Sequence, residues 1–263
     1  MLFRRIVLCA LLVGALAGLL VSAVQHWQAI PLIAAAEVFE GSTQPAEQAA
    51  PLAATAHDHD HDQAHGDAHA HDAAEWAPED GTERHVWTAV ANVLNAIGFG
   101  LVLVAAITTW EHLRGRPLAS ARTGLVWGAA GWICVFGLPT LGLPPELPGS
   151  VAAPLGDRQA WWLLAAASGA AGLGLLAFVR GPLRLLGLAL IALPFAVGAP
   201  HLAGGPFAGY DIGIARQMEA LAGPFALATT LATAVQWLAL GGLSGWAVAR
   251  WVRPALADLT PTL

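Results

Sequence analysis

The feature that most constrains this chain is a series of six apolar stretches without Asp, Glu, Lys or Arg. Each is long enough to cross the ~30 Å hydrocarbon core of a bilayer as a helix. Hydrophobic residues make up 56% of the 263 positions, which is more than ordinary soluble domains contain. The sequence therefore predicts an all-α, polytopic transmembrane helix bundle of about six spans. The predicted spans cover residues 6–24, 86–110, 123–143, 160–179, 185–203 and 224–249.

The distribution of arginine predicts the orientation of these spans. All twelve basic residues are arginines, and basic residues collect in the cytoplasmic loops of bacterial-type membrane proteins. With the N-terminus inside, nine arginines fall in cytoplasmic segments and only Arg84, Arg158 and Arg216 fall outside. We therefore expect a multi-pass protein of the bacterial inner (cytoplasmic) membrane with both termini in the cytoplasm.

The order of apolar and polar segments predicts four regions: a first span (1–24), an external rim and His/Asp-rich loop (25–85), a five-span membrane bundle (86–250) and a cytoplasmic tail (251–263). The first apolar run exceeds the ~7–15 residues usual in a cleaved signal, which favours an uncleaved anchor. Cleavage would leave five spans. Residues 41–84 are expected to be disordered without metal, because their composition buries too little apolar surface.

Glycines four residues apart predict close helix packing in three of the spans. Small residues at this spacing let two backbones approach each other. The pairs are Gly14 with Gly18, Gly124 with Gly128, and Gly241 with Gly245.

The external loop contains the tract "HDHDHDQAHGDAHAHD" at residues 57–72. Imidazole and carboxylate groups together suit divalent transition metals, and neighbouring aspartates attract cations. The tract therefore indicates a flexible segment that captures metal, with a solvated low-complexity spacer as the alternative. Below a pH of ~6.5, imidazole protonation competes with the metal. The predicted ligands of this tract are His57, His59, His61, His65, His69, His71, Asp58, Asp60 and Asp62.

A second group of candidate ligands follows the first span at the outer membrane surface. His26 lies at the end of that span, and Glu37 and Glu40 share one face if a short helix restarts after Pro31. These side chains are predicted to receive metal at the rim. The alternative is interfacial anchoring by Trp27 with solvated acids.

The second predicted span carries a polar stripe on one helical face, formed by His85, Thr88, Asn92 and Asn95. Polar side chains are costly in hydrocarbon, so the stripe is expected to face protein or water. It indicates either a transport path or a hydrogen-bonded helix contact. His85 is a candidate metal ligand, and Asn92 and Asn95 are candidates for the path.

Three other polar residues receive weaker predictions. His201, near the outer end of the fifth span, is a further candidate for the path. Gln236 in the middle of the sixth span is interpreted as a lone group with a packing role. Glu111, at the inner end of the second span, is interpreted as part of a solvated helix end.

Several common functional motifs are absent from the sequence. A chain without lysine has no phosphate loop of the G-x-x-x-x-G-K-[ST] kind, so coupling to ATP would require another subunit. The motifs H-E-x-x-H, C-x-x-C and G-x-S-x-G are also missing. We therefore expect no enzyme activity, no permanently bound cofactor and no nucleic-acid partner.

Four segments together give the chain a resemblance to the cobalt transporter subunit family, the CbtA-type membrane proteins. They are "AGLLVSAVQHWQAIPLIAAAEVFE", "ANVLNAIGFGLVL", "GLPPELPG" followed by "RQAWW", and "LPFAVGAPH". The resemblance implies cobalt uptake at the inner membrane, often associated with cobalamin synthesis. It also implies a small His-containing membrane subunit of the CbtB type as a partner, and about five spans where the arginines predict six.

The leading hypothesis is a permease component for divalent cations, most of all Co²⁺. The tract captures the ion, the rim receives it and the Asn92/Asn95 face conducts it inward. Two alternatives stay open: a metal-binding membrane scaffold or sensor that presents ions to a partner, and a nickel or zinc transporter of the same architecture.

Overall fold

The structure is a computed structural model that describes residues 2–39, 78 and 81–257. Within these residues all regular elements are helices, as the sequence predicts. We number them α1 (Leu2–Gln28), α2 (Ile30–Glu37), α3 (Thr82–Arg114), α4 (Ala121–Thr140), α5 (Leu155–Phe178), α6 (Pro182–Val197) and α7 (Ile212–Leu256).

Five of these helices, α1, α3, α4, α5 and α7, are long and apolar enough to cross a membrane. The predicted span 185–203 corresponds to the shorter apolar helix α6. It stops before the predicted end because Gly198 adopts a φ of 85°, a conformation that suits glycine and terminates the helix. The fold is therefore an all-helical bundle of five long spans and one shorter apolar helix.

The short helix nevertheless carries the chain back across the bundle. The segment after α6 meets the loop that precedes α5: the Val151 amide donates to the Pro206 carbonyl at 2.7 Å, and the Tyr210 hydroxyl donates to the Gly149 carbonyl at 2.9 Å. At the opposite end, Arg5 donates to the carbonyl of Trp251 at 3.0 Å. The start of α1 and the end of α7 thus lie at the same end of the bundle, as six passes require.

Two helices, α3 and α7, extend well beyond their predicted spans. Helix α3 begins at Thr82, so the last residues of the region expected to be disordered, 41–84, are helical. Helix α7 begins at Ile212 and continues beyond 250 through a π-turn at Val248–Val252. The rest of the region expected to be disordered, including the His/Asp tract, lies outside the described residues, except for residues 78 and 81. Glu40, just before this region, lies outside them as well.

Helices α1, α3, α4 and α7 form the centre of the bundle, and glycines bring them together. A methyl group added to Gly14 would lie 2.4 Å from Ile97 Cα on α3, and one added to Gly124 would lie 2.1 Å from the Gly241 carbonyl oxygen on α7. Such distances leave no room for any side chain. The packing predicted from the three glycine pairs is confirmed.

The hairpin of α5 and α6 packs beside this central group. Its attachment runs through α5, where a methyl added to Gly169 would meet Leu138 of α4 at 2.6 Å. The two helices of the hairpin approach closely as well, since a methyl on Gly172 would lie 2.6 Å from the Gly187 carbonyl oxygen. The hairpin is therefore a peripheral unit that contacts the centre mainly along α4.

Glu111 joins three helices at the end of the bundle where α1 begins. Its carboxylate accepts hydrogen bonds from the amides of Leu118 and Ala119 at 3.0 and 2.6 Å and from Arg253 Nε at 2.7 Å. The residue is only 5% exposed. The interpretation of Glu111 as a solvated helix end is wrong, because the partners that bury it come from the start of α4 and the end of α7.

The glycine contact between α4 and α7 gives a first prediction. Gly241→Ala places a methyl 2.3 Å from the Gly124 carbonyl oxygen, so the variant should lose about 1–3 kcal/mol of unfolding free energy through overpacking. The matched control is Gly223→Ala, on the same helix with nothing within 4 Å of the added methyl. Thermal unfolding in detergent measures both, and equal stability of the two variants would contradict the packing.

The buried carboxylate gives a second prediction. Glu111→Gln leaves Arg253 without its charged partner and should cost about 2–3 kcal/mol. The control is Glu219→Gln on the exposed side of α7, which should change stability by less than ~0.5 kcal/mol. Denaturant titration followed by tryptophan fluorescence compares them, and a neutral Glu111→Gln would show that the clamp is dispensable.

Candidate functional site

A cavity of ≈ 620 Å³ lies at the end of the bundle opposite Glu111. Helices α1, α2, α3 and α7 all contribute to its lining. Seven of the lining side chains are polar: Gln25, Glu37, Arg84, His85, Thr88, Asn92 and Thr229.

Helix α2 forms one wall of this cavity. The chain leaves α1 at Gln28, and Pro31 occupies the first turn of α2, where a missing amide hydrogen is tolerated. Ala36 of α2 is fully buried in a cluster with Leu147, Met218 and Phe225. The "GLPPELPG" loop and the start of α7 therefore hold α2 in place over the cavity.

Asn92 forms the floor of the cavity. Its amide nitrogen donates to Gln25 Oε1 at 2.6 Å and to Ser22 Oγ at 3.1 Å, which links α3 to α1. Deeper in the bundle, Gln236 Nε2 donates to Asn95 Oδ1 at 3.5 Å. The predicted stripe does face inward, and Gln236, interpreted as a lone polar group, pairs with it.

Apolar packing lies below the Asn95–Gln236 pair. Val104, Ile107 and Leu240 are fully buried, and Leu103 is 5% exposed. These side chains separate the polar floor from the Glu111 clamp. The cavity is therefore a dead end in this conformation.

Two histidines meet near the mouth of the cavity. The rings of His26 and His85 have centroids 4.9 Å apart in an edge-to-face arrangement. Within the described part of the chain, the buried Nδ1 atom of His85 has no hydrogen-bond partner. An imidazole nitrogen without a partner is a free ligand position, because neutral imidazole binds metal through such a nitrogen.

Glu37 and Arg84 close the rim through an ion pair between α2 and α3. Arg84 Nη1 donates to Glu37 Oε2 at 3.0 Å, and Nη2 donates to Oε1. The hydrogen bonds from Arg84 hold the pKa of the Glu37 carboxyl below its ordinary value. Glu37 is therefore ionised throughout the neutral range and carries a charge-assisted, two-point contact.

The other predicted site residues fall outside this group. His201 is exposed in the segment after α6, with Nδ1 2.6 Å from the Ala199 carbonyl oxygen, and it does not line the cavity. Glu40 and all ligands of the tract lie outside the described residues. Within 2–39, 78 and 81–257, no three His, Cys, Asp or Glu side chains are grouped to hold a metal ion.

From the sequence, two participants of the cavity have no predicted role there: Arg84 contributes only to the predicted orientation, and Thr229 is not on the predicted path. Gln25 lies within the predicted rim. The spacing of His85, Thr88 and Asn92 gives the face of α3, but the residues of other helices that meet this face are far away in the sequence. Glu37 and Arg84 are 47 residues apart, and Gln25 and Asn92 are 67 apart.

The comparison with known protein families shows to which family the chain is related. The sequence model of the family described as "Probable cobalt transporter subunit (CbtA)" matches residues 3–249. The chain belongs to the CbtA family. No curated protein and no solved structure matches it.

Membership in the CbtA family confirms the resemblance inferred from the four sequence segments. The family description is that of a transporter subunit, which fits the multi-pass helical bundle seen here. The matched range includes both α2 and α3, which form the Glu37–Arg84 contact, and the cavity is therefore a feature of the family region of the chain.

The lowered pKa of Glu37 gives a third prediction. Because the folded-state pKa lies below the unfolded value, the stabilisation by Glu37 is complete above ~4.3 and is lost as the pH falls through the folded pKa. Glu37→Gln should therefore melt below the wild type at pH 7, and the gap should close in acid. Thermal melts of both proteins from pH 7 to 3 measure this difference in melting temperature. A gap that does not change with pH would show that the charge is not responsible.

Proposed function

We propose that this chain is the membrane subunit of a system that takes up divalent transition-metal cations, foremost Co²⁺. The observation that carries the proposal is the cavity, whose polar side chains run from the Glu37–Arg84 rim down to Asn92. Imidazole nitrogen, amide oxygen and carboxylate are suitable ligands for Co²⁺, and also for Ni²⁺ and Zn²⁺. Membership in the CbtA family favours cobalt among these ions.

The proposed orientation places the cavity outside the cell. Nine of the twelve arginines lie at or near the bundle end where α1 begins and α7 ends. Basic residues favour the cytoplasmic side, so this end is proposed to face the cytoplasm of a bacterial inner membrane. The three remaining arginines, Arg84, Arg158 and Arg216, lie at the cavity end.

The His/Asp tract is proposed to capture the ion for the cavity. The segment that carries the tract connects the end of α2 to the start of α3, so both of its ends are at the rim of the cavity. His57, His59, His61, His65, His69 and His71 would bind the ion first. His26, His85 and Glu37 would receive it, together with Glu40.

Inward passage is proposed to follow Asn92 and Asn95. The apolar side chains below Asn95 block this route in the present conformation, so transfer requires a rearrangement of the bundle or a partner. The family description as a subunit supports a partner. A small His-containing membrane subunit of the CbtB type is the proposed one, and His201 at the same end is a weaker candidate for contact with the ion.

The transported ion is cargo, and the proposal includes no resident cofactor and no catalytic step. The polar groups of the cavity bind and orient an ion without offering a nucleophile beside a base. The chain is therefore proposed to act as a transporter component and not as an enzyme.

The blocked route also favours a second candidate function, a scaffold that presents ions to a partner without moving them. Reconstituted vesicles distinguish the two. Accumulation of cobalt by vesicles that contain this chain alone would exclude the scaffold. Tight binding without accumulation would exclude an autonomous permease and leave transport to a complex.

The decisive measurement is cobalt uptake in cells that lack other cobalt importers, which gives a fourth prediction. Replacing the six tract histidines by Asn should raise the half-saturating Co²⁺ concentration several-fold and leave the maximal rate unchanged, because capture matters when metal is scarce. The control is His112→Asn, an exposed histidine at the opposite end, which should change nothing. Unchanged uptake at every concentration would remove the tract from the mechanism.

Competition by Ni²⁺ and Zn²⁺ in the same cells tests the choice of ion. Uptake of Co²⁺ that persists in excess Ni²⁺ and Zn²⁺ supports a cobalt system. Complete suppression by either competitor at equal concentration assigns the chain to that metal instead.

A further inference from the structure

We propose that Arg84 is a built-in competitor for the cation site of the cavity, whose guanidinium occupies the Glu37 carboxylate until a divalent cation displaces it. This inference rests on the proposed function, since it concerns how the same cavity receives its ion. It assigns Arg84 a role in setting the affinity of the site.

The first argument is the charge of the cavity. Glu37 is the only acidic side chain and Arg84 the only basic one among the described residues that line it. With the histidine neutral, the described part of the lining therefore has no net formal charge. This part of the lining does not attract a doubly charged ion while the pair is closed, whereas loss of the guanidinium would leave one negative charge facing the ion.

The second argument is the occupation of both carboxylate oxygens. Arg84 donates from Nη1 to Oε2 and from Nη2 to Oε1, the fork geometry in which arginine contacts both oxygens of a carboxylate. A metal ion needs at least one of these oxygens. Because the guanidinium and the ion are both cations and repel each other, they compete for the Glu37 carboxylate.

The third argument is the neutral ligand that is already present beside the pair. The buried Nδ1 of His85, next to Arg84 in the sequence, has no hydrogen-bond partner among the described residues. A neutral nitrogen alone does not compensate for removing a divalent ion from water, so an anionic ligand has to join it. Glu37, which lines the same cavity as His85, supplies that anionic ligand when Arg84 releases its carboxylate.

The Glu37–Arg84 pair is accessible to water. The Arg84 side chain is 40% exposed, and that of Glu37 is 29% exposed, so the guanidinium can turn toward water.

The test is Co²⁺ titration calorimetry on the full-length chain, in a background where the six tract histidines are replaced by Asn. In this background, Arg84→Gln should bind Co²⁺ about tenfold more tightly than the parent, because the competing charge is gone. If thermal unfolding and size-exclusion chromatography show that Arg84→Gln is not folded, Arg84→Met provides the same test with a longer apolar stem.

The matched control is Arg84→Lys, which keeps the positive charge and loses the two-point contact. If Arg84 acts as a competing charge, Arg84→Lys stays close to the parent. If it acts only as a latch on α2, both Arg84→Lys and Arg84→Gln bind more tightly, which overturns the proposal. The double variant Glu37→Gln/Arg84→Gln should lose the tighter Co²⁺ binding expected of Arg84→Gln.

Other outcomes are equally decisive. Unchanged or weaker binding by Arg84→Gln would overturn the competition, and so would the absence of Co²⁺ binding in every variant of this background. Uptake by wild-type cells separates this failure from failure of the proposed function. If the cells accumulate cobalt while the variants show no competition, the proposed transport function stands and the proposed role of Arg84 is overturned.

Discussion

Backbone contact between helices at glycine is the interaction on which the rest of this structure depends. Lipid tails are as apolar as leucine, so helices in a bilayer associate through close packing and not through the hydrophobic effect. Gly14 and Gly18 bring α1 against α3, and Gly124, Gly128, Gly241 and Gly245 bring α4 against α7. The central group of helices is fixed in this way, and the cavity forms where α1, α3 and α7 diverge beneath α2.

Much of the fold follows from the sequence because lipid imposes simple rules. Charge-free apolar runs located the membrane helices, and glycine spacing identified their packing faces. The boundaries were harder to predict where a helix extends beyond lipid. Helix α7 begins at Ile212, where the Asp211 side chain caps it, and the charge-free run starts later because Arg216 and Glu219 lie in the first turns of the helix. Helix α6 ends early because one glycine adopts a positive φ.

The candidate site was only half predictable for a related reason. Helical periodicity shows that His85, Thr88 and Asn92 share a face, but it does not show which helix lies opposite. Gln236 is 141 residues from Asn95, and Arg253 is 142 residues from Glu111, and no local pattern connects the members of either pair. Pairing of polar groups across a bundle is a property of the tertiary structure. The roles of the tract histidines stay predictions, because their residues lie outside the described part of the chain.

The length of α6 has a consequence for the membrane itself. A helix over Pro182–Val197 rises about 25 Å, which is less than the ~30 Å thickness of a typical hydrocarbon core. Lipid next to a short helix thins to match it. Bilayer thickness therefore bears on the peripheral hairpin, and it bears on the cavity end as well, because Phe207 in the segment after α6 packs in the same cluster as Ala36 of α2.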